Sequence, residues 1–368
     1  MSTYKALVGK KIKSVSSDPS NSAEGQMWYN TTTQSLRGLA INEAWVSASA
    51  LNTAVYDNAG AGTQTAGLNV GGTESPSVAR SDNTEEYNGS GWSNSGNLNT
   101  GRFALGGFGT QTAAYVAGGN TSPGGGTTAA TESYNGTSWT SMSSPSNLNT
   151  PRQYMNVSTL GTSTAGLMAG GTPPTTGATE EWGGSTWANG GSLSTARYGL
   201  ATMGTQTAAL AAGGESPYMT NVEEYNGSSW TSGTNMPTAT SNAYRVGNST
   251  TDLYVAGGYT PSATTTTHKW NGTSWTTSGA MGRTATGSGG SFSGSPTAGL
   301  AFGGSTPSPS INTTEEFNAS TNVITAAAWS SGGNLTVTRA AIGGAGTQTA
   351  GLAVGGFSNP GQDTEVEE

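Results

Sequence analysis

Thr65-Ala66-Gly67-Leu68-Asn69-Val70-Gly71-Gly72 returns as Thr112-Ala113-Ala114-Tyr115-Val116-Ala117-Gly118-Gly119, and again as Thr207-Ala208-Ala209-Leu210-Ala211-Ala212-Gly213-Gly214. The unit recurs seven times, its Gly-Gly pair beginning at residues 71, 118, 170, 213, 257, 303 and 355, at intervals of 47, 52, 43, 44, 46 and 52 residues. A period of about 40 to 50 residues suits four short strands per unit, the spacing of propeller blades. Each unit reads as a strand with one large inward residue three places before the glycines. The Ala and Gly around it pack little on a strand unless a neighbouring sheet comes close.

After each pair runs a loop rich in Pro, Ser, Thr and Gly, then an acidic strand such as Thr84-Glu85-Glu86-Tyr87 or Val222-Glu223-Glu224-Tyr225. Asn-Gly follows in four copies, at Asn88, Asn135, Asn226 and Asn271, which is hairpin-turn chemistry. A Trp then opens a fourth strand, at residues 45, 92, 139, 187, 230, 275 and 329. Trp45 precedes the first glycine pair, whereas Gly355-Gly356 is followed by the acidic strand Thr364 to Glu368 and no Trp. The expectation is therefore an all-β, seven-bladed propeller of four-stranded antiparallel blades. In it the Trp45 strand completes the last blade and removes the exposed sheet edges.

The Gly-Gly pair, an apolar or aromatic residue some 15 positions on, a Trp beyond it and an Arg about ten further resemble Kelch-type β-propeller repeats over residues 38 to 368. The Arg stands at residues 102, 152, 197, 245, 283 and 339, with Val55 near the place in the first copy. The resemblance implies that these arginines, like the Glu pairs, tie neighbouring blades together. The domain expectation is an attachment arm at 1–37 and a propeller at 38–368.

The arm resembles the lead-in segment of tailed-phage fibre and appendage proteins, through Ser17-Asp18-Pro19-Ser20-Asn21, Gly25-Gln26-Met27-Trp28-Tyr29-Asn30 and Leu36-Arg37-Gly38. Gly-Thr-Gln-Thr-Ala at 109 and 346 is similar to repeats in marine-phage proteins. The resemblance implies a virion component assembled in the host cytoplasm. Lys10, Lys11, Lys13, Trp28 and Tyr29 are the candidates for docking onto other virion proteins.

Composition excludes several chemistries. There is no Cys and one His, His268, so a Cys-Tyr copper site or a thiolate metal centre has no ligands. His268 reads as a surface substitution. The five Asp residues are too scattered in sequence to propose a carboxylate pair, and no Asp precedes the repeat Trp residues as a sialidase-type box would need. Net charge of −8 argues against a nucleic-acid surface, and no apolar run nears the length of a membrane span. Residues 1 to 15 lack the apolar core of a secretory signal. Neither catalysis nor a cofactor is expected.

Binding remains. In a four-stranded blade the first and third turns share one face, and these are uniform; the second loops and the blade connections share the other, and these vary. Recognition tends to sit on irregular loops held by a rigid scaffold. Arg80, Tyr218, Met219, Tyr259 and Phe357 are the candidates there. The expected function is a non-enzymatic tail fibre or adhesin that meets a host-surface glycan or outer-membrane protein; the alternative is a capsid-decoration or tail-assembly role. Either suits a monomer or a homo-oligomer.

Overall fold

The computed structural model describes residues 12–19, 26–77, 79–121, 126–158, 162–215, 217–247, 250–286, 295–306, 310–325 and short strands between 343 and 367. All regular elements among them are strands. The chain forms two compact units, Ile41–Thr321, and Met1–Ala40 with Asn322–Glu368.

Within Ile41–Thr321 the repeats fold as successive small sheets. Sheet 1 is Ala59–Thr63, Ala66–Val70, Thr84–Tyr87 and Trp92–Asn94; sheet 2 is Gly106–Thr110, Ala113–Ala117, Thr131–Tyr134 and Trp139–Ser141. Sheets 3, 4 and 5 repeat the pattern up to Ser278, with strands in sequence order and antiparallel. Sheet 6 holds Ala298–Phe302 and Thr314–Thr325, and its next strand is Ser35–Ala48, which carries Trp45.

This corrects the expected closure. The Trp45 strand pairs with the repeat of Gly303, not with that of Gly355. The seventh repeat instead gives a separate three-stranded sheet, Gly343–Thr347, Ala350–Val354 and Val366–Glu367, outside the compact unit of six. The compact unit that holds sheets 1 to 6 runs over residues 41–321. Trp329 and Arg339 lie outside the described residues.

Small residues let the sheets approach, as the sequence suggested. A Cβ on Gly107 would stand 2.9 Å from the Cβ of Ala59, and one on Gly166 at 2.9 Å from the Phe108 ring. Between sheets 1 and 2 lie Ala61, Leu68, Val116, Tyr134 and Trp139, all buried. Trp182 and Trp270, which replace the strand Tyr of their repeats, are buried as well. Sugar stacking on the repeat Trp residues is thereby ruled out for the buried Trp139, Trp187 and Trp230.

Polar side chains join each sheet to its neighbour in fixed series. Each repeat Trp donates its indole N–H to the strand Thr of the sheet before: Trp139 to Thr84, Trp187 to Thr131, Trp230 to Thr179, Trp45 to Thr267, and Trp92 to Thr314. Sheet 4 has Val222 at the Thr place, so Trp275 donates to the Thr234 carbonyl instead. The glutamines of Gly-Thr-Gln-Thr do similar work, Gln111 donating to the Gly67 and Tyr87 carbonyls, and Gln64 to those of Gly299 and Phe317. Tyr87, Tyr134 and Tyr225 donate to Glu316, Glu86 and Glu181 of the preceding sheet; burial and these carboxylates push their pKa up to about 12. Each series runs from sheet to sheet and includes a step from sheet 1 to sheet 6.

The Arg series is partly corrected. Arg102, Arg152 and Arg197 are buried and pair with Glu132, Glu180 and Glu223. Arg283 starts two residues early yet reaches the same place, donating to the Gly303 carbonyl 3.0 Å away near Glu315. Arg245 does not belong to the series; it sits within the strand Tyr244–Val246, and Thr240 occupies the repeat position, its carbonyl accepting from Gly214 as that of Arg102 does from Gly72. His268 takes the Glu place in that same sheet and is buried, so it is no surface substitution. Arg and Glu are lost together, as a buried ion pair requires, since either alone would leave an uncompensated charge.

Candidate binding site on the variable face

The first and third turns of each sheet do lie together, since a Cβ on Gly89 would touch Thr65, and one on Gly136 would touch Thr112. The third turn has positive φ at Gly89, Gly136, Gly184, Gly227 and Gly272, in a four-residue loop between paired residues such as Tyr87 and Trp92. The Asn before the Gly serves as an acceptor: Asn88 Oδ1 receives the N–H groups of Ser90 and Gly91. These side chains are spent on the turn itself.

The opposite face is built differently. Where the chain enters each of the first five sheets it passes through one residue in the left-handed region: Asp57 (φ 53°), Ala104 (φ 53°), Tyr154 (φ 52°), Gly199 (φ 62°) and Asn242 (φ 50°). Their backbones bond in series, Ala104 N to Asp57 O at 2.7 Å, Tyr154 N to Ala104 O at 2.9 Å, Gly199 N to Tyr154 O at 2.9 Å and Asn242 N to Gly199 O at 2.7 Å. Three of these turn residues, Asp57, Tyr154 and Asn242, border one hollow. It is a depression of about 390 Å³, lined by Tyr56, Asp57, Tyr154, Tyr198, Glu215 and Asn242, with Thr286 and Ser305 on its remaining side. Beneath it a pocket of about 10 Å³, room for about one water, touches Asp57, Asn58, Tyr154 and Asn242.

The side chains are held in place. Tyr154 donates to Asp57 Oδ2 at 3.1 Å. Burial lifts the Asp57 pKa to about 6, opposed by that hydrogen bond and by Arg80 and reinforced by Glu215. Tyr154 is raised too, by burial and then by the charge of Asp57. Glu215 Oε1 accepts from Ser241 Oγ at 2.7 Å and Asn242 Nδ2 at 2.8 Å. An aromatic arc runs from Phe103 to Tyr154 to Tyr198, each step 6.1 Å between ring centres, with the Arg80 guanidinium 4.2 Å over Phe103. No cluster of three metal-ligating side chains occurs among the described residues.

The sequence candidates are divided by this geometry. Tyr218 is 42% exposed and lies 5.6 Å from Tyr259, and both flank the Glu215 side of the depression. Arg80 stands at the other end of the arc. Met219 is buried and drops out as a contact residue. Phe357 falls outside the compact unit of six sheets. Asp57, Tyr154, Tyr198 and Glu215 were missed, because residues far apart in sequence converge only through the entry turns. Their shared signal is position: Tyr154 and Tyr198 follow the repeat Arg by two and one residues, and Glu215 directly follows a Gly-Gly pair.

In the lead-in, Lys10 and Lys11 lie outside the described residues. Lys13–Val15 pairs in parallel with Met27–Asn30, and Asp18 gathers Trp28 Nε1 and Asn30 Nδ2 at 2.8 Å and Arg37 at 2.5 Å. Trp28 is wholly buried, which corrects its role: it is the arm's own core and cannot be a docking surface. Met27 and Tyr29, on the opposite face of the strand, are exposed.

No family model matches the sequence, and no curated protein is similar to it. Among solved structures the chain is similar to one described as the structure of YjhT, at 14% identity and a TM-score of 0.60 over 75% of this chain and 99% of that one. At that identity the likeness shows the fold alone. The chain has a β-propeller fold.

Proposed function

We propose that this chain is a Kelch-type propeller of six blades, closed by the Trp45 strand, that acts as a virion appendage and binds a host-surface glycan in the depression on its variable face. One observation carries the binding reading: a preformed hollow in which tyrosine faces alternate with carboxylate, amide and hydroxyl groups, the mixture of apolar walls and few convergent polar groups that small-ligand sites use. The polar groups are braced by their neighbours, so little order is lost on binding. The hydrogen-bond series that step from sheet 1 to sheet 6 support the blade count. The lead-in resemblance supports the virion setting.

The test is competition. Purified chain added to host cells should slow virion adsorption, and Tyr198→Ala should remove that effect while the protein stays folded. Undiminished adsorption would overturn the reading. A second reading, packing on other virion subunits, is favoured by the exposed Met27 and Tyr29 side by side on one strand face of the arm. A virion map with the depression covered by a neighbouring subunit would select it.

A further inference from the structure

The depression contains two carboxylates, Asp57 and Glu215, and none of the side chains lining it is basic. Arg80, the nearest cation to Asp57, is engaged over the Phe103 ring. Beside the carboxylates stand the rings of Tyr56, Tyr154 and Tyr198, whose faces attract cations. Asn58 Oδ1, buried and without a hydrogen-bond partner, borders the small pocket that Asp57 and Tyr154 also line. Carboxylates and aromatic faces therefore dominate the side of the cavity formed by Tyr56, Asp57, Tyr154, Tyr198 and Glu215.

We propose that this site selects an organic ammonium group, as carried by an amino sugar with a free amine or by a choline headgroup. The proposal rests on the glycan-binding reading of the same depression and narrows its ligand. Hydroxyls of a neutral sugar would find the same acceptors, but only a cation offsets the cost of keeping Asp57 ionised where burial disfavours its charge. A left-handed backbone is unusual for an aromatic residue, although Asp and Asn tolerate it, and Ala104 and Gly199 show that the entry turn accepts small residues. Tyr154 thus adds a side chain that the turn does not need, and its hydroxyl is spent on Asp57.

The experiment is titration of the full chain with glucosamine and choline, against glucose and N-acetylglucosamine, followed by calorimetry and by NMR of the tyrosine rings. Glucosamine or choline should bind at pH 7.5 at least about tenfold more tightly than glucose, a difference of about 1.4 kcal/mol. Which of the two cations binds identifies the source. Choline keeps its charge at all pH values, so its affinity should fall about tenfold from pH 7 to pH 5 as Asp57 takes up its proton while facing Tyr154, Tyr56, Glu215 and Arg80. Asp57→Asn should abolish that pH dependence. Glu215→Gln, further from the strained turn, should weaken both cations and spare glucose, so the test survives if the first variant misfolds. Equal binding of glucose and glucosamine would overturn the ammonium assignment and leave the glycan reading standing. Absence of binding by all four probes, with virion adsorption still competed by the chain, would overturn the ammonium assignment and move recognition elsewhere on the face; absence of both would sink the two together.

Discussion

The indole nitrogen of Trp92 lies 3.0 Å from Thr314 Oγ1, a bond between residues 222 positions apart that joins the first sheet of the propeller unit to the last. The same bond recurs between sequential neighbours, so sheets 1 and 6 are joined in the way each adjacent pair is. Thr314→Val leaves the partly buried N–H without its acceptor and should cost about 1 to 2 kcal/mol. Val222→Thr, which supplies the hydroxyl that sheet 4 lacks, should cost little because Trp275 already has the Thr234 carbonyl. Urea midpoints of the two variants decide this; equal losses would mean that the hydroxyl plays no part.

Removing one member of a buried ion pair is a harsher change. Arg152→Met should leave Glu180 stranded in the interior and cost about 3 to 5 kcal/mol, whereas Arg152→Met with Glu180→Met should recover most of it. The sequence already contains that experiment at Thr240 and His268, where both charges are gone. Thermal unfolding of single and double variants checks it.

Asp57 gives a pH signature of stability. Its pKa in the folded protein, about 6, lies above the ordinary 3.8, so the folded state binds the proton more tightly than the unfolded chain. Its contribution is therefore most favourable below about pH 4, is lost as pH rises through about 4 to 6, and is flat above 7, a change of up to about 3 kcal/mol at roughly 1.4 kcal/mol per pH unit. Asp57→Asn should accordingly gain on the native protein as pH rises from 4 to 7. Urea denaturation at the two pH values measures the difference, and parallel curves would count against a buried, proton-holding Asp57.

Tyr218 and Met219 are adjacent and should behave oppositely. Tyr218→Ala removes exposed surface beside the depression, so stability should hold within about 0.5 kcal/mol while ligand or cell binding weakens. Met219→Ala empties a core position and should cost about 2 kcal/mol or more. Melting temperatures and adsorption assays on the pair test the burial assignment directly.

Asp18 should organise the arm alone. Its carboxylate is held below the usual range by hydrogen bonds from Asn30 and Trp28, with Arg37 adding to them against the opposing desolvation. Asp18→Ala should redden the emission of Trp28 as its burial is lost, with no change in the unfolding of the six-sheet unit. A shifted main transition would show that the two are coupled.

Much of this was legible in sequence because it repeats. The strand grammar, the Asn-Gly turns and the inward Leu or Tyr recur at fixed offsets, and the structure keeps them. The partner of the Trp45 strand was not, since the Gly-Gly series continues to Gly355 while that strand joins the Gly303 repeat, a pairing on which strand patterns are silent. Arg245 misled for a similar reason, because spacing alone cannot tell a linker Arg from one five residues on, within a strand. The depression was invisible because Asp57, Tyr154, Tyr198 and Glu215 share no motif. What they share is a backbone position, and side-chain identity there is free to differ.

That freedom has a consequence. The entry turns are linked in series by main-chain N–H and C=O groups, and that part of the link does not depend on which residue occupies each turn. Five turns already carry five different residues, Asp57, Ala104, Tyr154, Gly199 and Asn242, on one skeleton. A codon change at a turn that already carries a side chain can rewrite the chemistry of the hollow while the main-chain link is kept. If that hollow meets the host, altered host range is within reach of one mutation.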